Sequence, residues 1–402
     1  MQAGRSMKRS TNSKAISSCL RTSIIILALC LANHVLFAQN SDLWGSLKPG
    51  KYPVGFRVLE KYDISRRWRN ESKGRPIQIS IWYPAVPGGK DPPLTYRDYF
   101  LLSTRELDFA DQSVEMKAAA VVKYEDLLVS NGNPRAAAEA LFSTRLYARL
   151  GLPVADGIFP LLIVAQGNFH SAHHQSVLCE FLASHGYVVA TCPSQTRISG
   201  PMNSDEDLYH NVVEQSDDIA FVKKQVVDCF RIDDDRTGLI GHSFGARSAF
   251  LYLADNKDVR ALVSLDGGIG NKQGKEFMKG KEGFDPGAIR APILHFYEDV
   301  ETFMIPDFDL VNSLKNSDRF LVKVERMNHA QFTSFGMAGG TIPGFSSRSD
   351  ETKLKCEAIY NITLCFLDAF VRNKATGSDK RVREDIGRLL PEGIMSLSSI
   401  SR

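Results

Sequence analysis

The sequence has little cysteine, little net charge and no internal repeat. The formal net charge is only +3, and removing five cations near the N-terminus leaves about −2. A chain with this balance has no excess of basic residues for binding nucleic acid or an anionic membrane. Without a repeat period, its ordinary composition and length predict one large domain with an insertion, or a domain with a small cap.

The first 38 residues have the composition of a secretory signal peptide. They contain no acidic residue, and an apolar run spans residues 23–38. This run is shorter than the roughly 18 to 20 residues needed to cross a bilayer, and Asn33 and His34 interrupt it. We therefore expect cleavage before Gln39, export of residues 39–402 to the periplasm or outside the cell, and no stable membrane insertion afterwards. The basic residues of the leader are Arg5, Lys8, Arg9, Lys14 and Arg21.

Five cysteines remain beyond this leader, and an odd number leaves at least one free thiol. Cys356 and Cys365 are nine residues apart on a predicted helix, so they lie on opposite faces and cannot bridge each other. Cys179 lies on an apolar helix stripe. We expect most of these residues to be buried as small hydrophobic side chains.

The order of apolar segments predicts an α/β fold. Two β-rich segments, residues 54–59 and 77–83, come first, and the second alternates as a half-exposed antiparallel strand would. Residues 95–152 have no strand pattern and predict a helical, lid-like insertion. Apolar strands then alternate with helices, which predicts a mostly parallel sheet covered by helices on both faces, with its site at the carboxyl ends of the strands. The polar tail after about residue 375 is expected to pack loosely.

The pentapeptide Gly241-His242-Ser243-Phe244-Gly245 lies between an apolar strand and a predicted helix. A serine on such a sharp turn is exposed at the top of the sheet, and glycines flank it because the turn leaves no room for side chains. This arrangement is typical of the nucleophile elbow of an α/β-hydrolase. It predicts a serine hydrolase with Ser243 as the nucleophile.

A serine nucleophile needs a histidine base, and the base needs a carboxylate. Of the two histidines after Ser243, His295 lies within a strand, whereas His329 follows the last strand of the alternation and can reach the serine. The carboxylate can follow either of two strands. Asp266 follows one, where Asp-Gly is also a favoured turn pair, and position alone does not decide between it and the acids after the next strand, which are Glu298, Asp299 and Glu301.

Residues 159–335 resemble the plasma-type platelet-activating-factor acetylhydrolases and the bacterial dienelactone-hydrolase-like esterases. The matching segments are Gln166-Gly167-Asn168, the run 182–190, the elbow, Ser264-Leu265-Asp266 and His329-Ala330-Gln331-Phe332. The resemblance implies that Asp266 is the triad acid and that the acyl group is short. Gln166 stands where the family has His. True dienelactone hydrolases use a Cys nucleophile, so their chemistry does not carry over to Ser243.

The same matching motifs imply that the backbone N–H groups of Asn168 and Phe244 are the oxyanion donors. His170 and His174 have a spacing that can ligate a metal on a helix, but no carboxylate or cysteine nearby completes a set. We therefore expect no metal and no cofactor, and we expect these histidines to line the rim of a polar pocket.

Taken together, these patterns predict an exported hydrolase that cleaves a small or lipid-like carboxylic ester through an acyl-enzyme. A peptidase or amidase would use the same triad, so the sequence leaves that activity open. A non-catalytic binding protein on a hydrolase fold is the third alternative, and the intact Ser, His and acid disfavour it. The sequence makes no prediction about oligomeric state.

Overall fold

A computed structural model describes residues 41–69, 73–89, 91–200, 203–279, 281–345, 349–373 and 380–400. The predicted signal peptide lies outside the described residues. Residues 41–402 form one compact unit, built around a ten-stranded sheet whose order is β10-β9-β8-β7-β6-β4-β5-β2-β1-β3. The strands are β1 (Val54–Asp63), β2 (Arg75–Pro84), β3 (Arg149–Leu150), β4 (Phe159–Ala165), β5 (Val188–Thr191), β6 (Ile232–His242), β7 (Val259–Leu265), β8 (Ile293–Tyr297), β9 (Arg319–Val324) and β10 (Met395–Ile400).

The six neighbouring strands β9, β8, β7, β6, β4 and β5 run parallel to one another. At one edge β10 pairs antiparallel with β9, and at the other edge β2 pairs antiparallel with both β5 and β1. This is the mostly parallel sheet that the apolar runs predict. The α-helices that connect and cover it are α1 (Tyr96–Leu102), α2 (Val114–Ser130), α3 (Arg135–Ser143), α4 (Ser176–Ser184), α5 (Gln195–Ser199), α6 (Asp205–Cys229), α7 (Phe244–Asp255), α8 (Lys272–Lys279), α9 (Asp309–Ser313), α10 (Ser334–Thr341), α11 (Asp350–Leu367) and α12 (Lys380–Leu389).

Successive side chains of the central strands enter two different cores. In β4, Leu161 and Ile163 belong to one buried cluster, whereas Leu162 and Val164 belong to the other. Side chains alternate between the faces of a strand, so this division means that apolar layers cover both faces of the sheet. Burial on both faces explains why these strands are continuously apolar in the sequence.

The prediction that β2 is half-exposed is wrong, since every residue of the strand is buried. Gln78 and Ser80 are the polar positions that suggested a solvent face. Gln78 donates a side-chain hydrogen bond to the carbonyl of Leu102 at 3.3 Å, and Trp82 donates to the hydroxyl of Tyr99 at 2.8 Å. Helix α1 of the insertion thus covers this face and accepts the side-chain hydrogen bonds of Gln78 and Trp82.

A buried carboxylate ties the insertion to the body of the fold. Glu180 on α4 accepts hydrogen bonds from the indole of Trp44 (3.2 Å), the hydroxyl of Tyr99 (2.8 Å) and the backbone N–H groups of Tyr147 (2.8 Å) and Ala148 (3.0 Å). Burial raises the pKa of Glu180 to about 7, and these donors oppose the rise. The four donors come from the segment before β1 and from both ends of the insertion.

The C-terminal tail does not pack loosely. Helix α12 buries Val382 and Ile386, and Met395 of β10 is also buried. Strand β10 pairs antiparallel with β9 and closes that edge of the sheet. The tail is polar because its other positions face solvent, while the spacing of Val382 and Ile386 places both on one helix face. None of the helices in the described part of the chain is long and apolar enough to cross a membrane.

Candidate active site

Ser243 lies at the junction of β6 and α7, in a backbone conformation that L-residues rarely adopt (φ 54°, ψ −122°). A Cβ on Gly241 would lie 2.4 Å from the Cα of Ala246, and one on Gly245 would lie 2.2 Å from the carbonyl oxygen of Ala165. Only glycine fits at these positions, because the turn brings β4 and the start of α7 into contact. The sequence pattern therefore reflects a strained, tightly packed turn that presents the serine at the carboxyl edge of the sheet.

Asp266 and His329 meet at the same edge. Asp266 directly follows β7, and its Oδ2 lies 2.5 Å from Nδ1 of His329 in the turn after β9. The Asp266 side chain is 3% exposed and that of His329 is 15% exposed, so the pair is shielded while the imidazole still faces the surface. His242, the neighbour of Ser243, contacts the His329 ring at a centroid distance of 4.8 Å. Asp266 and His329 are thus paired beside the elbow, with His329 packed against the residue that precedes Ser243.

The other acids after β8 have different contacts. Asp299 forms an ion pair with Lys323 at 2.8 Å and is 45% exposed. The buried side chain of Glu298 accepts hydrogen bonds from the backbone N–H groups of Val300 and Glu301, and burial raises its pKa. Neither Asp299 nor Glu298 makes a described contact with the imidazole of His329.

Glu301 contributes to the site in a way that the sequence did not reveal. Its carboxylate accepts a hydrogen bond from the backbone N–H of His329 at 2.6 Å. The loop after β8 therefore fixes the backbone of His329, while Asp266 after β7 contacts its side chain. Phe303 of the same loop packs edge-on against the imidazole at a centroid distance of 5.2 Å.

The loop after β4 lies against the serine. A Cβ on Gly167 would lie 3.2 Å from the Cβ of Ser243. The N–H of Phe169 donates to Oγ1 of Thr196 and that of His170 to the carbonyl of Gly167, whereas the N–H of Asn168 has no acceptor in the described part of the chain. Phe244 is the first residue of α7, so its N–H has no acceptor within the helix. Among the described residues, neither of these two N–H groups donates to a backbone or side-chain acceptor, so the prediction that they bind an oxyanion stays open.

A buried carboxylate, paired with a partly exposed arginine, holds this loop from the side of the insertion. Glu106, between α1 and α2, accepts hydrogen bonds from the hydroxyl of Ser171 and from Nε of Arg197 (2.5 Å). Burial raises the pKa of Glu106, and the Arg197 guanidinium opposes the rise. Sequence reasoning missed these residues because the contact joins segments separated by 65 and 91 positions.

The histidines of the loop form a stack of rings. His170 stacks on His174 at a centroid distance of 3.8 Å and on His242 at 5.1 Å, and His173 lies 4.0 Å from His174. Burial, and secondarily the charges of neighbouring groups, lowers the pKa of each of these four rings well below its usual value. Among the described residues, no group of His, Cys, Asp and Glu side chains is arranged to hold a metal ion.

Comparison with solved structures identifies the fold. The chain superimposes on a ferulic acid esterase from Streptomyces cinnamoneus with a TM-score of 0.58 and 20% sequence identity, over 88% of this chain and 98% of that one. The chain has the α/β-hydrolase fold. A family model described as Chlorophyllase matches residues 141–280 of this α/β-hydrolase chain, from α3 through the elbow to the loop after α8. No curated protein matches the sequence.

Two further polar residues are structural parts of this α/β-hydrolase fold. Mid-strand His295 is buried, and its Nδ1 lies 2.9 Å from Oγ of Ser264; burial lowers its pKa to about 3. Gln166, which replaces the histidine of the resembled family, donates to Thr191 at 3.1 Å. The five cysteines at described positions are all free, and of these Cys179, Cys192 and Cys356 are buried.

Proposed function

We propose that this protein is an exported serine hydrolase that cleaves carboxylic esters through Ser243, His329 and Asp266. One observation carries the proposal. Ser243 is held in an elbow at φ 54°, and the preceding residue His242 packs on His329, whose Nδ1 lies 2.5 Å from a buried carboxylate. A carboxylate in this position fixes the imidazole tautomer that can accept the proton of a serine hydroxyl.

In the proposed reaction, Ser243 Oγ attacks the ester carbonyl while Nε2 of His329 takes the hydroxyl proton. Asp266 stabilises the imidazolium, and the backbone N–H groups of Asn168 and Phe244 stabilise the oxyanion. His329 then gives its proton to the leaving alcohol, and water hydrolyses the acyl-enzyme by the same steps in reverse. Each oxyanion donor contributes about 3 to 4 kcal/mol of transition-state stabilisation in enzymes of this type.

An ester is the proposed substrate for two reasons. The fold neighbour is described as an esterase, and the resemblance to acetylhydrolases implies a short acyl group such as acetyl. Membrane insertion and nucleic-acid binding form no part of this proposal. Export is proposed because residues 1–38 have the composition of a signal peptide. Intact-mass measurement on protein from the native host should show an N-terminus near Gln39. A full-length cytoplasmic product would contradict export without affecting the chemistry.

The test is labelling by a fluorophosphonate probe together with hydrolysis of 4-nitrophenyl acetate. The wild-type chain should react with both, and Ser243→Ala should lose labelling and at least about a thousandfold in kcat, because the triad acts as a unit. Ser143→Ala, on an exposed end of α3, is the matched control and should behave as wild type. Full labelling of the Ser243→Ala variant would refute the assignment.

A parallel assay with the 4-nitroanilide that carries the same acyl group separates esterase activity from amidase or peptidase activity. We expect the ester to be cleaved and the anilide to be cleaved far more slowly, since an amide needs protonation of a poorer leaving group. Comparable rates on both would favour a peptidase or amidase. Absence of labelling in a folded wild-type protein would favour a binding protein.

A further inference from the structure

A closed ring of four hydrogen bonds joins the proposed base to three carboxylates. Its members are Asp266, Glu298, Glu301 and His329. Oδ2 of Asp266 lies 2.5 Å from Nδ1 of His329, and Oδ1 of Asp266 accepts from the backbone N–H of Glu298 at 3.4 Å. The carboxylate of Glu298 accepts from the backbone N–H of Glu301 at 3.0 Å, and that of Glu301 accepts from the backbone N–H of His329 at 2.6 Å. The ring therefore links the ends of β7 and β8 to the turn that carries the proposed base.

The backbone N–H of His329 depends on an acceptor from outside its own turn. His329 is the first residue of the 3₁₀ turn His329–Phe332, and the first N–H groups of a helical turn have no acceptor within it. Asn328 caps this turn through the N–H of Gln331 at 3.1 Å, which leaves the N–H of His329 to another group. Glu301 supplies that acceptor. Its carboxylate therefore fixes the peptide plane that precedes the Cα of His329.

Ring contacts also limit where the imidazole of His329 can move. Phe303, two residues after Glu301, packs edge-on against it at a centroid distance of 5.2 Å, and His242 lies 4.8 Å away at an interplanar angle of 30°. Nε2 of His242 also lies 3.4 Å from the carbonyl oxygen of His329. The loop after β8 and the elbow thus both contact the backbone and the ring of the proposed base.

The contact with Asp266 does not hold the base in place by itself. With Nδ1 bonded to Asp266, Nε2 is the nitrogen that can serve Ser243, but the ring can still pivot about this single contact. Proton transfer needs a heavy-atom distance of about 2.6 to 3.2 Å, and a displacement of about 1 Å can cost about a hundredfold in rate. A second contact at the backbone removes this freedom.

Building on the proposed function, we propose that Glu301 is a positioning residue, whose carboxylate holds the backbone of His329 so that Nε2 stays within reach of Ser243 Oγ and of the leaving oxygen. Because a backbone N–H is a neutral donor, Glu301 acts as a hydrogen-bond acceptor and its charge is not required. Glu298 supports Glu301 by fixing its N–H. The loop after β8 thus serves the proposed triad through the main chain of His329, while Asp266 serves the side chain.

The test compares Glu301→Gln with Glu301→Leu, two side chains of similar size of which only Gln has an acceptor. The measurements are kcat/KM for methyl acetate, by proton release, and for 4-nitrophenyl acetate, by absorbance. Glu301→Leu should lower kcat/KM for methyl acetate about ten- to a hundredfold. The loss for 4-nitrophenyl acetate should be at least about threefold smaller, because methoxide must take a proton from His329 whereas 4-nitrophenolate leaves without one.

The conservative variant and a neighbouring acid provide the controls. Glu301→Gln should keep kcat/KM for both esters within about threefold of wild type, since its amide oxygen can accept from the N–H of His329. Glu325 lies four residues before His329, is 35% exposed and forms an ion pair with Lys323 at 3.0 Å. Glu325→Leu and Glu325→Gln should each change neither rate by more than about twofold. Thermal unfolding midpoints establish that each variant is folded.

Three results would overturn the assignment of Glu301. Equal losses on the two esters in Glu301→Leu would indicate less folded enzyme and not a displaced base, and wild-type rates in this variant would show that the contact is dispensable. A loss in Glu301→Gln as large as that in Glu301→Leu would show that the charge is needed. If Glu301→Leu does not fold, Glu301→Ala replaces it, and failure of both to fold would assign the carboxylate to stability alone.

Failure of the proposed function gives a different result. A folded wild-type chain that hydrolyses neither ester and is not labelled by the fluorophosphonate probe would remove the proposed function and this inference with it. If Glu301 has no positioning role, wild-type hydrolysis and the labelling of Ser243 persist, and only the variant pattern changes. Labelling of the wild-type chain therefore separates the two failures.

Discussion

Replacing Asp266 by Asn tests the acid of the proposed triad with almost no change in shape. In the structure, Oδ2 of Asp266 faces Nδ1 of His329 at 2.5 Å, and Oδ1 accepts from the backbone N–H of Glu298 at 3.4 Å. If the Asn carbonyl keeps the bond to Glu298, its NH₂ group faces Nδ1. Two donors cannot share that contact, so the imidazole proton moves to Nε2.

A proton on Nε2 prevents His329 from accepting the proton of Ser243. The same change in another serine hydrolase lowers kcat about 10⁴-fold, and we expect a similar loss here, equivalent to about 5 kcal/mol in the activation barrier. The fold should persist, because the amide fills the same buried space. The measurements are kcat for 4-nitrophenyl acetate and the thermal unfolding midpoint of each variant.

Asp299→Asn is the matched control on the neighbouring strand end. This carboxylate is 45% exposed and pairs with partly exposed Lys323, and such surface pairs contribute about 0 to 1 kcal/mol. We expect kcat within about twofold of wild type. The opposite pattern, with a crippled Asp299→Asn and an active Asp266→Asn, would show that the acid after β8 serves His329 and that the observed contact is not the catalytic one.

Three further predictions concern the packing around the site. Gly245→Ala should abolish activity and destabilise the fold by at least about 2 kcal/mol in urea unfolding, because its Cβ would lie 2.2 Å from a backbone oxygen; near-normal stability would refute the close contact. Glu180→Gln should cost about 2 to 4 kcal/mol, since its NH₂ group would face donors now bonded to the carboxylate, and an unchanged urea midpoint would contradict this. Burial holds the pKa of His295 at about 3, below the unfolded value near 6.5, so the unfolded state binds more protons and stability falls as the pH drops below about 6.5. On acidification the His295→Gln variant should therefore lose less folding stability than wild type, by up to about 1.4 kcal/mol per pH unit between pH 6 and 4. Identical slopes of stability against pH for wild type and variant would show that His295 is not the cause.

The sequence predicted the central strands and the elbow because their causes are local. Short apolar runs such as residues 161–165, alternating with helical segments, predict strands buried on both faces. The glycines around Ser243 indicate a turn formed by residues close in the chain. The order of Ser243 and His329 along the chain also left a single plausible base. These features need no knowledge of distant contacts.

Long-range contacts explain what the sequence did not predict. The polar face of β2 is covered by α1, and nothing in residues 75–84 reveals a partner about 20 positions away. Val382 and Ile386 of the tail were too few to indicate that α12 packs on the fold and that β10 extends the sheet. Position alone could not choose between Asp266 and Asp299, since both follow parallel strands. The family resemblance implied Asp266, and in the structure it is Asp266 that contacts the His329 imidazole.

The contact of Glu106 with Ser171 and Arg197 couples the insertion to the proposed oxyanion loop. Glu106 lies in the insertion, residues 95–152, yet its carboxylate also holds the loop that carries the proposed oxyanion donor. Exchanging the insertion without these contacts would therefore disturb that loop as well. An engineered chimera would have to transfer residues 95–152 along with Ser171 and Arg197.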